Sequence, residues 1–74
     1  MSCKINFIWD ADAAVWVATS NDVPGLVLES GSFDALIERV RYAVPELLAL
    51  NENKSDVIDL TFVSERRDRV AVYG

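Results

Sequence analysis

Histidine is absent from this 74-residue chain, and cysteine occurs once, as Cys3. The usual zinc-ligand spacings therefore have no residues to form them, and no disulfide can close within the chain. We expect no basic partner that would hold Cys3 as a thiolate, so we interpret it as a strand or terminal residue rather than a nucleophile. A lone thiol fits a reducing compartment.

Long apolar runs and basic residues are also scarce. No stretch approaches the roughly 20 apolar residues that cross a bilayer, and the N-terminus alternates instead of forming a signal peptide, so we expect a soluble, cytoplasmic protein. Seven basic residues against twelve acidic ones give a net charge of −5 and a pI near 4.4. This balance argues against broad nucleic-acid binding. It fits a basic partner, or plain solubility.

Glycine is limited to three residues, and Gly25 and Gly31 are isolated. The chain therefore has no glycine-rich phosphate loop and no nucleotide fingerprint, and we predict no cofactor. Gly25 follows Pro24, a pair that favours a type II turn with φ > 0 at the glycine. The length and the absence of a linker or repeat predict a single domain over residues 1–74.

One amphipathic helix is predicted from Ser32 to Leu50. Its apolar residues recur at the spacing of three and four that places side chains on one helical face. They are Phe33, Leu36, Ile37, Val40, Val44, Leu47 and Leu48. Ser32 is a suitable N-cap, because its hydroxyl can accept a hydrogen bond from a first-turn amide. Pro45 lacks an amide hydrogen, so we expect either a kink there or a break into two short helices.

Alternating apolar and polar residues predict four strands in the order β-β-β-α-β. They are Cys3–Trp9, Val15–Thr19, Leu26–Ser30 and Asp56–Ser64. The expected fold class is α+β, an antiparallel sheet of three or four strands packed on one long helix. The short link between the first two strands requires an antiparallel hairpin. We expect Ile5 and Phe7 to share its helix-facing side with Val15 and Val17.

The C-terminal segment Val70–Tyr73 is rich in residues that favour strands. It either folds back as a fifth strand or pairs with another chain. A four-stranded sheet has open edges that invite pairing, and a homodimer would enlarge the marginal core of a chain this short. We therefore expect a homodimer.

Three groups of side chains are candidates for a site. Carboxylates flank the predicted strands; such groups can bind a divalent cation or act as acid and base, but aspartate is also common in turns. No activating partner accompanies them, so we predict no catalytic residue and no metal ligand. Trp9 and Trp16 flank one turn, and each either caps the core or anchors a partner. The cluster Arg66, Arg67 and Arg69 either contacts an acidic group or, with Glu65 and Asp68 interleaved, is a solvated turn.

Several short motifs follow one another between Trp9 and Val40. They are Trp9-Asp10, Trp16-Val17-Ala18, Asp22-Val23-Pro24-Gly25 and Ser32-Phe33-Asp34-Ala35-Leu36. In this order they resemble the N-terminal domain of HicB-type antitoxins, and they are similar to short stand-alone relatives grouped as a bacterial domain of unknown function. The resemblance covers roughly half of the chain. It implies a reduced ribonuclease H-like fold without that enzyme's catalytic carboxylates.

The resemblance also implies a function. In HicB-type antitoxins this domain binds a small basic HicA-type toxin, which cleaves RNA, and masks its active site. A C-terminal ribbon-helix-helix or helix-turn-helix domain binds the operator. The present sequence ends at Gly74 without such a segment, so we do not expect it to repress transcription alone.

Our leading hypothesis is therefore a non-enzymatic protein-binding module that holds a basic partner such as a HicA-like toxin. The predicted contact residues are Asp10, Asp12, Trp16, Asp22 and Glu29. The alternative is an orphan HicB-like domain that acts as a structural homo-oligomerisation module. A third hypothesis, an enzyme with a remnant nuclease site, would use Asp10 with magnesium.

Overall fold

The structure is a computed structural model that describes residues 1–48 and 57–74. Its elements follow the predicted order β-β-β-α-β, and the α+β class is confirmed. They are β1 (Ser2–Asp10), β2 (Val15–Thr19), β3 (Val27–Ser30), α1 (Phe33–Leu47) and β4 (Asp59–Glu65). The polar residues 51–55, which the sequence predicts to be a loop, and the beginning of the predicted fourth strand at Asp56 lie outside the described residues.

The four strands form one sheet in the order β3-β2-β1-β4. The two hairpin pairings, β1 with β2 and β2 with β3, are antiparallel, but β4 runs parallel to β1. The prediction of a fully antiparallel sheet is therefore wrong. The physical reason is the helix between β3 and β4, because a helical crossover lets the chain return in the same direction on the far side of β1.

The apolar stripe of α1 forms the core with one face of the sheet. Leu36, Val40 and Val44 are completely buried, and the helix packs against β2 and β3. From the sheet, Ile5 and Phe7 are also completely buried, and Cys3 lies beside them as a buried strand residue. Burying a large aliphatic or aromatic side chain contributes about 1.5–3 kcal/mol, so this stripe is the main source of stability.

The ends of α1 are set by local chemistry. Ser32 is the N-cap as predicted, and its hydroxyl accepts a hydrogen bond of 3.2 Å from the Ala35 amide. The helix continues through Pro45 without breaking into two, and it ends two residues later at Leu47 with Leu48 as C-cap. The predicted extension to Leu50 lies outside the described residues.

The register of the first hairpin differs from the expected one. Trp16 and Ala18 lie opposite Trp9 and Phe7 on the helix-facing side, whereas Val17 lies opposite Ile8 on the other face. The expectation that Val15 and Val17 share a face with Ile5 and Phe7 is therefore wrong. The four residues of the turn, 11–14, bring Val15 opposite Asp10 and so set the phase of β2; Ala14 ends this turn with a φ of 54°.

The turn before β3 has the predicted geometry. Gly25 has a φ of 84°, and the Leu26 amide donates to the Val23 carbonyl at 3.2 Å. Val23 and Leu26 are buried on either side of this turn, so the loop contributes to the core. Strand β3 begins at Val27, one residue later than predicted.

The chain after β4 does not return to its own sheet. Residues 66–74 are exposed and form no strand in the described structure, so the predicted fold-back as a fifth strand is absent there. The Cα radius of gyration is 15.2 Å, compared with about 11 Å for a compact chain of this length. The segment therefore projects from the body of the molecule.

Candidate protein-binding surface

The face of the sheet opposite α1 carries a row of four side chains, one from each strand. The strand registers place Glu65, Ile8, Val17 and Glu29 side by side in that order. Ile8 is 56% exposed although it lies near the middle of the sheet. The row therefore has an apolar centre with a carboxylate at each end.

A shallow hollow lies over the centre of this row. It has a volume of about 410 Å³ and is lined by Ile8, Val17, Thr19 and the start of the hairpin turn at Trp9–Ala11. A second hollow of about 430 Å³ shares Ile8 and the turn with the first, and it extends to Glu65 and Arg67. Ile8 therefore borders both hollows, and the hollows together reach from β2 across β1 to the charged end of β4.

Asp10 and Asp12 lie at the hairpin tip, as predicted, and both are exposed. The Asp10 carboxylate accepts hydrogen bonds from the amides of Asp12 and Ala13 at 3.1 and 3.2 Å. Asp10 therefore stabilises the turn in the way that aspartate commonly does. Asp10 also lines the first hollow.

Asp22 lies at the opposite end of the hairpin. Its carboxylate accepts from the Lys4 amide at 2.7 Å, while the Ser20 hydroxyl donates to the Lys4 carbonyl at 2.6 Å. The Asp22 amide in turn donates to the Ser20 hydroxyl oxygen at 3.0 Å. Side chains thus extend the ladder between β1 and β2 after their backbone pairing ends at Thr19.

The predicted acidic residues do not form one cluster. Lys4 and Asp10 are six residues apart on β1, so Asp22 and the hairpin tip are separated by about 20 Å. Glu29 lies in the central row, opposite Val17, and its backbone carbonyl accepts from the Arg39 guanidinium at 2.8 Å. The structure therefore brings Glu29 to the open face near the tip and leaves Asp22 at the far end.

Trp16 is half-buried on the helix-facing side of the sheet. Its ring centroid lies 5.0 Å from that of Phe33 and 5.4 Å from that of Trp9, both in edge-to-face arrangements. The two tryptophans thus meet across the hairpin. Trp16 closes the end of the core beneath the first turn of α1, and its role as a partner anchor stays a prediction.

The arginine cluster has a defined geometry at its first two residues. The Arg66 guanidinium lies 4.1 Å from the centroid of a Trp9 ring, a cation–π contact. Arg67 forms an ion pair of 3.0 Å with Glu65. The Arg66 contact places the beginning of the C-terminal segment beside the hairpin tip, whereas the Arg67–Glu65 pair is local to the end of β4.

A metal centre finds no support in the part of the chain described here. Within residues 1–48 and 57–74, no three carboxylate or cysteine side chains come together in a group that could hold an ion. The thiol of Cys3 is buried in the hydrophobic core.

The central role of Ile8 and Val17 was not predicted from the sequence. Ile8 breaks the apolar–polar alternation of β1, because it is a large apolar residue at a position on the wet face. That irregularity was the available signal. Val17 could not be assigned without the hairpin register, which depends on the turn.

The domain is therefore of the α+β class. Its small mixed sheet carries one helix on one face and an apolar row with acidic ends on the other. The chain belongs to the family described as a domain of unknown function (DUF1902), whose family model matches residues 2–74. Its fold is similar to the crystal structure of hypothetical protein TTHA1013 from the extremely thermophilic bacterium Thermus thermophilus. The two share 34% sequence identity and a TM-score of 0.76, over 95% of this chain and 100% of that one.

None of the curated proteins matches this chain. Among residues 1–48 and 57–74, no helix combines the length and the apolar character that crossing a membrane requires.

Proposed function

We propose that this chain is a non-catalytic, cytoplasmic protein-binding domain that holds a small basic protein against the open face of its sheet. The observation that carries the proposal is the row in which Ile8 and Val17 stand between Glu65 and Glu29. An apolar centre within a charged rim is the usual anatomy of a protein interface.

The charge of the chain favours a basic partner. The net charge is −5, and Asp10 and Asp12 add carboxylates at the hairpin tip beside the hollow. Complementary charge of this kind accelerates encounter and sets specificity more than it adds affinity. Burial of Ile8 and Val17 would then supply the apolar part of the binding free energy.

The resemblance to HicB-type antitoxins suggests which partner this is. We propose a HicA-like ribonuclease toxin, whose basic RNA-binding surface would be masked by the acidic tip and the central row. In this arrangement Asp10, Asp12 and Glu29 act together. Asp22, about 20 Å away along β1, would contact only a partner that spans the whole face, and Trp16 would support the tip from below.

Co-expression with the product of an adjacent small basic gene, or with a HicA-type toxin, tests the proposal. The readouts are co-purification and suppression of RNA cleavage. We expect Ile8→Arg to weaken the complex about tenfold or more, because it places a cation at the centre of the interface. Tyr42→Arg is the matched control, because Tyr42 is 74% exposed on the helix, away from the open face. Free toxicity without co-purification would contradict the proposal, as would a magnesium-dependent nuclease activity that Asp10→Asn abolishes.

The second candidate function is a structural homo-oligomerisation module. One observation favours it, namely the exposed apolar segment that follows β4. Self-association through this segment would involve Glu65 but leave Ile8 and Val17 uncovered, so it is compatible with the binding of a basic partner.

A further inference from the structure

Residues 66–74, which we call the arm, form an extended segment that no other described residue covers. Val70, Val72 and Tyr73 are 80%, 89% and 93% exposed. The arm continues directly from β4, whose only partner among the described strands is β1, so the outer edge of β4 is open within that part of the chain. We propose that the arm of one copy pairs antiparallel with the β4 edge of a second copy, and the reverse, to join the two sheets. This dimer rests on the second candidate function, homo-oligomerisation, and gives it a specific geometry; it does not depend on the binding of a basic partner.

The charge of the arm identifies a second copy as the occupant. Arg66, Arg67 and Arg69 against Asp68 give the arm a formal charge of +2, which leaves −7 on the rest of a chain whose net charge is −5. A basic apolar arm is therefore complementary to the acidic body that every copy carries. Arg66 on Trp9 and Arg67 on Glu65 fix the base of the arm in the strand direction, which lowers the cost of ordering it.

Folding the arm back onto its own β4 is disfavoured by the residues at the bend. A two-residue hairpin loop there would consist of Arg66 and Arg67, whereas such loops prefer glycine or asparagine. The same hairpin would also place Glu65 directly opposite Asp68, and like charges in that position are destabilising. Exchange between two copies avoids both costs.

Symmetry restricts the register of the exchanged strands. Two identical neighbouring strands can run antiparallel only about an axis normal to the sheet, and that axis keeps each side chain on its own face. Opposite residues must therefore have numbers of the same parity. When the two-fold axis passes between the Arg67 residues of the two copies, Glu65 lies opposite Arg69 and Arg66 lies opposite Asp68. We call this register the centre at Arg67, and each of its two attractive pairs occurs twice in the dimer. A centre at Asp68 would instead oppose Arg67 with Arg69, and a centre at Arg66 keeps one attractive pair. In all three registers the charged residue at the axis lies opposite the same residue of the second copy, so this repulsion does not distinguish them. The remaining charge pairs favour the centre at Arg67.

The same register extends the core at its thinnest point. Helix α1 lies over β2 and β3, which leaves Phe62 on β4 37% exposed, although its ring contacts Phe7 at 5.5 Å between centroids. With the centre at Arg67, Val72 of the second copy lies opposite Phe62 on this face. On the other face Val63, which is 42% exposed, lies opposite Ala71. Apolar residues of the arm thus meet the exposed apolar residues of β4.

Sedimentation equilibrium of the full chain is the first test. We expect twice the chain mass of 8.2 kDa at micromolar concentration. Val72→Lys should raise the dimer dissociation constant about a hundredfold or more, since two valines lose their burial in each dimer. Tyr42→Lys should not change it. A monomer up to millimolar concentration, or a dimer that Val72→Lys leaves intact, would refute the proposal.

Cysteine crosslinking tests the register independently. In a Cys3→Ala background, Val63→Cys and Ala71→Cys chains are mixed under oxidising conditions. Directly opposite residues lie within the Cα separation that a disulfide allows, so the mixture should form a covalent dimer that neither variant forms alone. Mixing Thr61→Cys with Ala71→Cys is the matched control, because those positions are one diagonal step apart and should crosslink poorly. Equal crosslinking of both mixtures would contradict the register.

Discussion

Replacing Ala14 with glycine should stabilise the protein. Ala14 is exposed and has a φ of 54°, where the Cβ atom costs about 1–2 kcal/mol. Glycine adopts this conformation readily, but it adds about 0.4–1 kcal/mol of entropy to the unfolded chain. The free energy of unfolding should therefore rise by about 0.5–1 kcal/mol.

Urea unfolding followed by the fluorescence of Trp9 and Trp16 measures this change, because both side chains flank the turn. For a slope of about 1 kcal/mol per molar urea, the midpoint should rise by about 0.5–1 M. Protein concentration must be the same for both variants, since a dimer makes apparent stability concentration-dependent.

Ala13→Gly is the matched control. Ala13 lies in the same turn and is also exposed, but its φ is not positive. Glycine there should lower the free energy of unfolding by about 0.5 kcal/mol, because only the entropic cost remains. If both glycine variants lowered the stability equally, Ala14 would not be strained and the reasoning from its positive φ would fail.

Two further predictions concern the core and the far end of the hairpin. Leu36→Ala should lower the free energy of unfolding by about 2–5 kcal/mol, because the side chain is completely buried, whereas Tyr42→Ala should change it by less than about 0.5 kcal/mol; urea titration checks both. Asp22→Ala should cost about 1 kcal/mol by removing the acceptor of the Lys4 amide, and Asp22→Asn should cost less because its amide oxygen can still accept. Faster hydrogen exchange at the Lys4 amide in Asp22→Ala alone would locate the effect, and equal exchange in all three proteins would refute it.

Local patterns were sufficient to predict the elements of this fold. The three-and-four spacing from Phe33 to Leu48 predicted the helix and its buried face, and Ser32 predicted where it begins. Pro24-Gly25 predicted the turn before β3. These features depend on residues that are close in sequence, and therefore the sequence contains them directly.

Long-range pairings were not predictable in the same way. The direction of β4 depends on where α1 delivers the chain, and the sheet of the first three strands has two open edges, β1 and β3. The phase of β2 depends on the number of residues in the turn 11–14, and Ala14 gives no warning of its positive φ because it is neither glycine nor asparagine. A shift of one residue in the pairing of β2 with β1 places Trp16 and Ala18 on the helix-facing side, where Val15 and Val17 were predicted to lie.

The candidate site shows the same division. Composition indicated an acidic surface, and motif order indicated the hairpin that carries Asp10 and Asp12. The separation of Asp22 from that tip, and the position of Ile8 between β4 and β2, required the registers of three pairings. A binding surface on a sheet is assembled across strands, so the order of residues along one strand does not reveal it.

The two proposed surfaces place a constraint on each other. An axis normal to the joined sheet keeps both open faces on one side and both helices on the other. Each copy would then present its own row around Ile8 and Val17, with Glu65 of both copies near the axis. Arg69 of the exchanged arm lies opposite Glu65 and offsets its charge, so the two Glu29 residues would be the unpaired carboxylates of the rows. A basic partner would therefore contact Glu29 and the hairpin tip first. Dimerisation would confine the unpaired negative charge of the row to that end without covering the row.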